Sequence, residues 1–191
     1  GSVVEFLVKK VNTSDTLKVK VRRELIHLPD IKYAGMIAPK TGYILQTGFT
    51  EGVADTMRVK VNQLKAQGME KLILDLRGNG GGLLKEAVEI VSIFVPENSL
   101  VVTSRDRDGK DVEVYRTQKA PLAEKMKLVV LVDGGSASSS EIVSGALQDL
   151  DRATIMGTRT FGKGLVQSVR PLPFGGQLKL TVAKYYTPSG R

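Results

Sequence analysis

The sequence predicts an α/β fold, and three observations carry that prediction. Short apolar runs alternate with segments whose apolar residues recur every three or four positions, so strands and helices follow one another along the chain. Glycine-rich loops stand at two strand-to-helix junctions, residues 78–82 and 134–135. The most apolar run, residues 128–132, contains no polar side chain, which predicts a strand buried on both faces.

Residues 3–24 read as two strands, 3–8 and 16–21, around the polar turn 12–15. Pro29-Asp30 breaks the pattern, and Gly35, Pro39 and Gly42 follow within a few residues, which marks a boundary near residue 25. Residues 42–46 form a short strand. Val53, Met57, Val61 and Leu64 have helical spacing, and Gly68 is placed to end that helix. Residues 72–76 read as a strand that runs into the loop Arg77-Gly78-Asn79-Gly80-Gly81-Gly82. A second helix follows with Leu84, Ala87, Val88, Val91 and Val95 on one face, closed by Pro96. Residues 100–102 and 112–115 pair as a hairpin, since Asp108-Gly109 is a strong turn dipeptide. After the strand at 128–132 comes a serine cluster and a third helix, with Ile142, Val143, Ala146, Leu147 and Leu150 inward. Residues 177–186 alternate as a half-exposed strand does. There is no internal repeat and no low-complexity segment.

The length of 191 residues suits one domain with a fragment of another, and the opening Gly1-Ser2 reads as a cloning remnant. Cysteine is absent, which excludes disulfides and thiolate chemistry, and the single histidine, His27, excludes a multi-histidine metal cage. No apolar run approaches the ~18 residues of a membrane span. Lys and Arg total 28 against 20 Asp and Glu, a formal charge of +8. Those charges are scattered, tryptophan is absent and aromatics are 5%, so stacking platforms for nucleic acid are poorly supplied.

Both glycine-bearing junctions place backbone amides at a helix N-terminus, where negative charge is favoured. The 78–82 loop reads either as a tight turn or as an oxyanion cradle; it lacks the spacing of a phosphate loop or a dinucleotide fingerprint. The cluster Ser136-Ala137-Ser138-Ser139-Ser140-Glu141 admits two readings as well. Ser138 and Glu141 fit a capping box. Alternatively, one serine is a nucleophile with the following amide aimed at a developing oxyanion. Such a serine needs a base. His27 lies in a Pro-flanked stretch far upstream and reads as structural, whereas Lys163 sits between Gly162 and Gly164 in an apolar run. Burial there would disfavour the ammonium and free the amine.

Four motifs in order, Asp75-Leu76-Arg77-x-Asn79-x-Gly81-Gly82, Ser136-Ala137-Ser138-x-Ser140-Glu141-Ile142, Gln148-Asp149 and Thr160-Phe161-Gly162-Lys163-Gly164-x-Val166-Gln167, resemble those of the carboxyl-terminal processing (tail-specific) proteases. The resemblance runs from about residue 26 to the end. It implies a crotonase-like α/β core of stacked sheets and helices, and a serine endopeptidase that cleaves proteins near their C-termini. By motif, Ser138 is the nucleophile, Lys163 the general base and Gln167 the residue that orients it. The amides of Gly82 (or Gly81) and Ser139 match the oxyanion hole. No metal and no cofactor are implied.

The resemblance further implies an enzyme of the bacterial cell envelope or periplasm, acting on proteins with accessible C-terminal tails, with a homo-oligomer admitted. Residues 1–24 then correspond to the remnant Gly1-Ser2 and the last strands of a PDZ domain. Residues 25–191 are the protease core, shortened at its C-terminus. Two other readings remain open: a crotonase-like enzyme of acyl-coenzyme A esters, and a silent peptide-binding module with an exposed edge strand.

Overall fold

The computed structural model describes residues 1–24, 26 and 28–191; Leu25 and His27, the weaker candidate base, lie outside them. A hairpin of β1 (Val3–Lys9) and β2 (Thr16–Arg22) comes first and forms a two-stranded sheet of its own. Then follow β3 (Ile31–Ala38), β4 (Thr41–Gln46), α1 (Val53–Ala66), β5 (Lys71–Asp75) and α2 (Leu84–Val91). The chain continues with β6 (Leu100–Arg105), β7 (Asp111–Arg116), β8 (Lys127–Val132), α3 (Ser139–Asp149), β9 (Thr154–Gly157), β10 (Leu165–Pro171) and β11 (Gln177–Tyr186). No helix among the described residues is long and apolar enough to cross a membrane.

The main sheet has the order β3-β4-β5-β8-β9. Strands β4, β5, β8 and β9 run parallel, and β3 pairs antiparallel with β4 at one edge. Alternation decides the buried face: Ile44, Leu72, Leu74, Leu128, Val130 and Val132 are buried, while Tyr43, Ile73, Val129 and Leu131 between them are half-buried. Strand β8 is therefore fully covered on one face only, which corrects the expectation of burial on both. Its apolar residues at 129 and 131 reflect the side-by-side packing of Ile73 and Val129 across the β5–β8 pair.

Helix α1 buries Val53, Ala54, Met57, Val61 and Leu64, and Gly68, at φ +89°, ends its last turn as expected. Helix α2 stops at Val91, short of the expected Val95. The amides of Ile93 and Phe94 bond to carbonyls three residues back, a tightened turn before Pro96, whose ring disfavours helix at the preceding residue. A second sheet, order β10-β11-β6-β7, contains the predicted β6–β7 hairpin. Strand β11 joins it only through Lys184, Tyr185 and Tyr186, so most of the β10–β11 hairpin is exposed rather than half-covered.

One buried carboxylate joins two helices. Glu86 on α2 accepts from the amides of Gly52 (3.1 Å) and Ala54 (2.9 Å) at the start of α1, where unpaired N–H groups favour an anion. Glu86→Ala should lower the unfolding free energy by about 1–3 kcal/mol, the scale of stranded buried donors. Glu86→Gln, which keeps one acceptor, should lose less. Denaturant titrations with an unchanged m-value would check both.

Candidate active site

Strands β5 and β8 are parallel neighbours in the register Asp75 opposite Leu131, so their loops leave the sheet side by side. The two loops are stitched together. Gly78 N–H donates to Asp133 Oδ1 (2.8 Å), Ala137 N–H to the Asn79 carbonyl (3.0 Å), and Leu76 N–H to the Leu131 carbonyl (2.9 Å). Asn79 is fully buried; its side chain donates to the Gln46 carbonyl and accepts from Gly81 N–H, both at 2.9 Å. At Gly81, φ is +94°, and a Cβ would lie 2.7 Å from the Ala137 carbonyl oxygen and 2.8 Å from Ser138 Cβ. At Gly82 a Cβ would meet the Phe49 carbonyl oxygen at 2.5 Å. These glycines are required by contact: the loop is a turn built to lie against the serine cluster, and that is compatible with a cradle role for its free amide.

The same stitching separates the serines. Ser136, Ser139 and Ser140 are buried, and each hydroxyl donates to a backbone carbonyl: Leu76 (2.8 Å), Gly82 (2.9 Å) and Asn79 (2.8 Å) respectively. Ser138 alone is half-buried and lines an open cleft. Its backbone, at φ +54° and ψ −113°, has the geometry of the first central residue of a type II′ turn, a glycine position. A side chain held there costs about 1–3 kcal/mol and sits on a sharp strand-to-helix turn that presents its hydroxyl outward.

The amides are sorted as clearly. Ser138 N–H is taken by Glu141 Oε2 (2.8 Å), and Gly81 N–H by Asn79 Oδ1 (2.9 Å). Ser139 opens α3 and has no intrahelical acceptor. Gly82 is exposed, and among the described residues its N–H has no acceptor.

Lys163 lies on the loop between β9 and β10 and lines the same cleft as Ser138, a space of about 220 Å³ walled also by Val102, Ile142 and Tyr185. One expectation fails here. Lys163 is exposed rather than buried, because Gly162 and Gly164 bring no side chains and Phe161 itself points to solvent at 69% exposure. Among the described residues no hydrogen bond joins Lys163 Nζ to Ser138 Oγ. Gln167 sits at a β-bulge in β10, exposed and opposite Thr181, and is not among the residues lining the cleft.

Sequence reasoning named Asp149 within the Gln148-Asp149 motif and gave it no role. Its carboxylate is almost wholly buried and accepts from Ser189 N–H (3.0 Å), Ser189 Oγ (2.7 Å) and the Arg191 guanidinium. It thereby fastens residues 187–191 to the end of α3, and Thr187 and Arg191 line the cleft. The signal available in sequence was Gln148-Asp149 at the close of an otherwise apolar helix.

Burial alone would raise the Asp149 pKa, but hydrogen bonds from Thr187, Ser189 and Arg191 outweigh it and hold the carboxyl at about 2. A carboxyl depressed in the folded state contributes stability that is present above its unfolded pKa of ~3.9 and is lost as pH falls through the folded value. Asp149→Asn should flatten the fall of unfolding free energy between roughly pH 4 and pH 2, measured by denaturation at each pH. Gly81→Ala should leave the sheet intact yet displace the Ser138 turn, read as slower covalent labelling of Ser138.

Comparisons with known proteins agree with this fold. The chain is 37% identical over 194 residues to a carboxy-terminal-processing protease of Bartonella bacilliformis, covering 100% of this chain and 44% of that protein. It is 41% identical over 190 residues to a carboxyl-terminal-processing protease of a Picosynechococcus species, covering 98% and 45%. Among solved structures it superposes on a photosystem II D1 C-terminal processing protease with a TM-score of 0.78 and 31% identity, over 99% of this chain and 52% of that one. The chain thus spans about half the length of the curated relatives it matches. Residues 40–191 match the model of peptidase family S41, and the chain belongs to that family.

Proposed function

We propose that this chain is the endopeptidase core of a carboxyl-terminal processing protease, with Ser138 as nucleophile and Lys163 as general base. One observation carries the reading. Of the clustered serines, only Ser138 lines the cleft, on a strained turn beside two amides that have no acceptor among the described residues. In its neutral form Lys163 takes the proton of Ser138 as Oγ attacks the scissile carbonyl. Negative charge gathers on the carbonyl oxygen, where the Gly82 and Ser139 amides stabilise it. The protonated lysine passes its proton to the departing amine, which leaves an acyl-enzyme. Water, deprotonated by the same lysine, then releases the acid and restores the serine.

The substrates are proteins with accessible C-terminal tails, a reading supported by the names of the bacterial relatives. The parent enzyme works in the cell envelope. Residues 25–191 are the protease core, and the β1–β2 hairpin belongs to a preceding PDZ domain. Its register puts Val4, Phe6, Val8, Leu17, Val19 and Val21 on one face, and Phe6, Val8, Leu17 and Val21 are exposed, as expected of strands that seat against a further layer.

A fluorophosphonate probe followed by peptide mapping, run beside mass spectrometry of a protein with an unstructured apolar tail, tests the proposal. The wild-type chain should be labelled at Ser138 alone. Ser138→Ala should abolish labelling and cleavage while shifting stability by no more than about 1–2 kcal/mol. Lys163→Arg, which cannot deprotonate, should be as inactive as Lys163→Ala. Labelling at another serine, or full activity in Lys163→Arg, would overturn the assignment.

A further inference from the structure

We propose that Glu141 is the positioning residue that sets Ser138 and Lys163 in register; the inference rests on the dyad assigned above. A capping box asks one thing of Glu141, a bond to the N–H of Ser138, and that bond is present at 2.8 Å. The carboxylate accepts three more. Lys163 N–H donates to the same oxygen, Oε2, at 2.9 Å, so a single atom holds the amide of the nucleophile and the amide of the base. Oε1 accepts from Gly162 N–H (2.6 Å) and Thr160 Oγ1 (2.7 Å). Helix capping explains none of these three, because their donors lie 19 to 22 residues farther along the chain.

The loop around Lys163 has few other anchors. Phe161 N–H bonds to the Ser136 carbonyl (3.0 Å), and Tyr185 N–H to the Gly164 carbonyl (2.8 Å); ladder pairing starts only at Leu165. Without Glu141, the segment from Gly162 to Gly164 would be free to move, with Lys163 at its centre. An ionised carboxylate is acceptor-only with about four lone-pair sites, and here every site is matched to a donor. Charge-assisted bonds of this kind are short and strong. The chemistry also admits no amide substitute. A glutamine would turn an NH₂ group toward a backbone N–H whichever way it was flipped: toward those of Ser138 and Lys163, or toward that of Gly162 beside a Thr160 hydroxyl that can rotate to accept.

That last point separates this role from a structural cap. Capping boxes accept Glu or Gln at this position, so a cap alone predicts that Glu141→Gln is benign. Positioning predicts a slow enzyme that remains folded. In the full chain, Glu141→Gln should slow fluorophosphonate labelling of Ser138 about a hundredfold, the scale of an ångström-sized misplacement of reacting groups. The loss should fall on kcat for an apolar-tailed peptide, with KM little changed. Thr160→Val removes one of the four bonds and leaves the cap untouched; it should slow labelling about tenfold, and Thr160→Ser, which keeps the hydroxyl, should restore the rate.

Wild-type chain and Lys163→Ala are the controls. If wild type is not labelled at Ser138, or Lys163→Ala is labelled as fast as wild type, the dyad itself fails. With the controls as expected, wild-type labelling rates in Glu141→Gln would overturn the positioning role. Should Glu141→Gln prove unfolded by thermal melting, the Thr160 pair decides: equal rates in Thr160→Val and wild type would overturn it.

Discussion

The parallel pairing of β5 with β8 is the constraint on which the site depends. Parallel strands in register end at the same edge of a sheet, so whatever follows them must share one small volume. Here a glycine loop follows one strand and a serine cluster the other. Their backbones meet so closely that glycine is the only residue that fits at two positions, and the serines find their acceptors on the opposite loop. A register slip of one residue would move every buried side chain of the strand to the other face and separate those partners.

Much of the fold was legible because hydrophobic periodicity is a local signal. The three helices, the β6–β7 hairpin and the two glycine junctions all follow from patterns within about fifteen residues. Strands β3, β9 and β10 were not read as strands. The first is interrupted by Gly35, the second has four residues, and the third is exposed and bulged, so none shows a clean alternation. The early end of α2 and the half-covered face of β8 also depend on neighbours distant in sequence.

The site divides along the same line. Serines at 136, 138, 139 and 140 are alike as residues. What distinguishes them is which carbonyl each can reach, and those carbonyls belong to residues 76, 79 and 82. Composition around Lys163 suggested burial, yet glycines add apolar character to a sequence without adding cover. The carboxylates misled in the opposite direction. In a chain of charge +8, Glu86 and Asp133 look like ordinary surface charges and Glu141 like a helix cap, but these three and Asp149 each accept from a backbone amide of a segment far away in sequence.

The left-handed backbone at Ser138 has a consequence for how such a molecule can evolve. Glycine would occupy that turn without steric cost, so the residue that makes the fold most comfortable there is one that has no hydroxyl. On the role proposed for Ser138, folding and chemistry therefore pull in opposite directions at a single codon. Selection acting on thermostability alone would drift toward an inert protein of the same shape, and only continued demand for turnover keeps a serine in place.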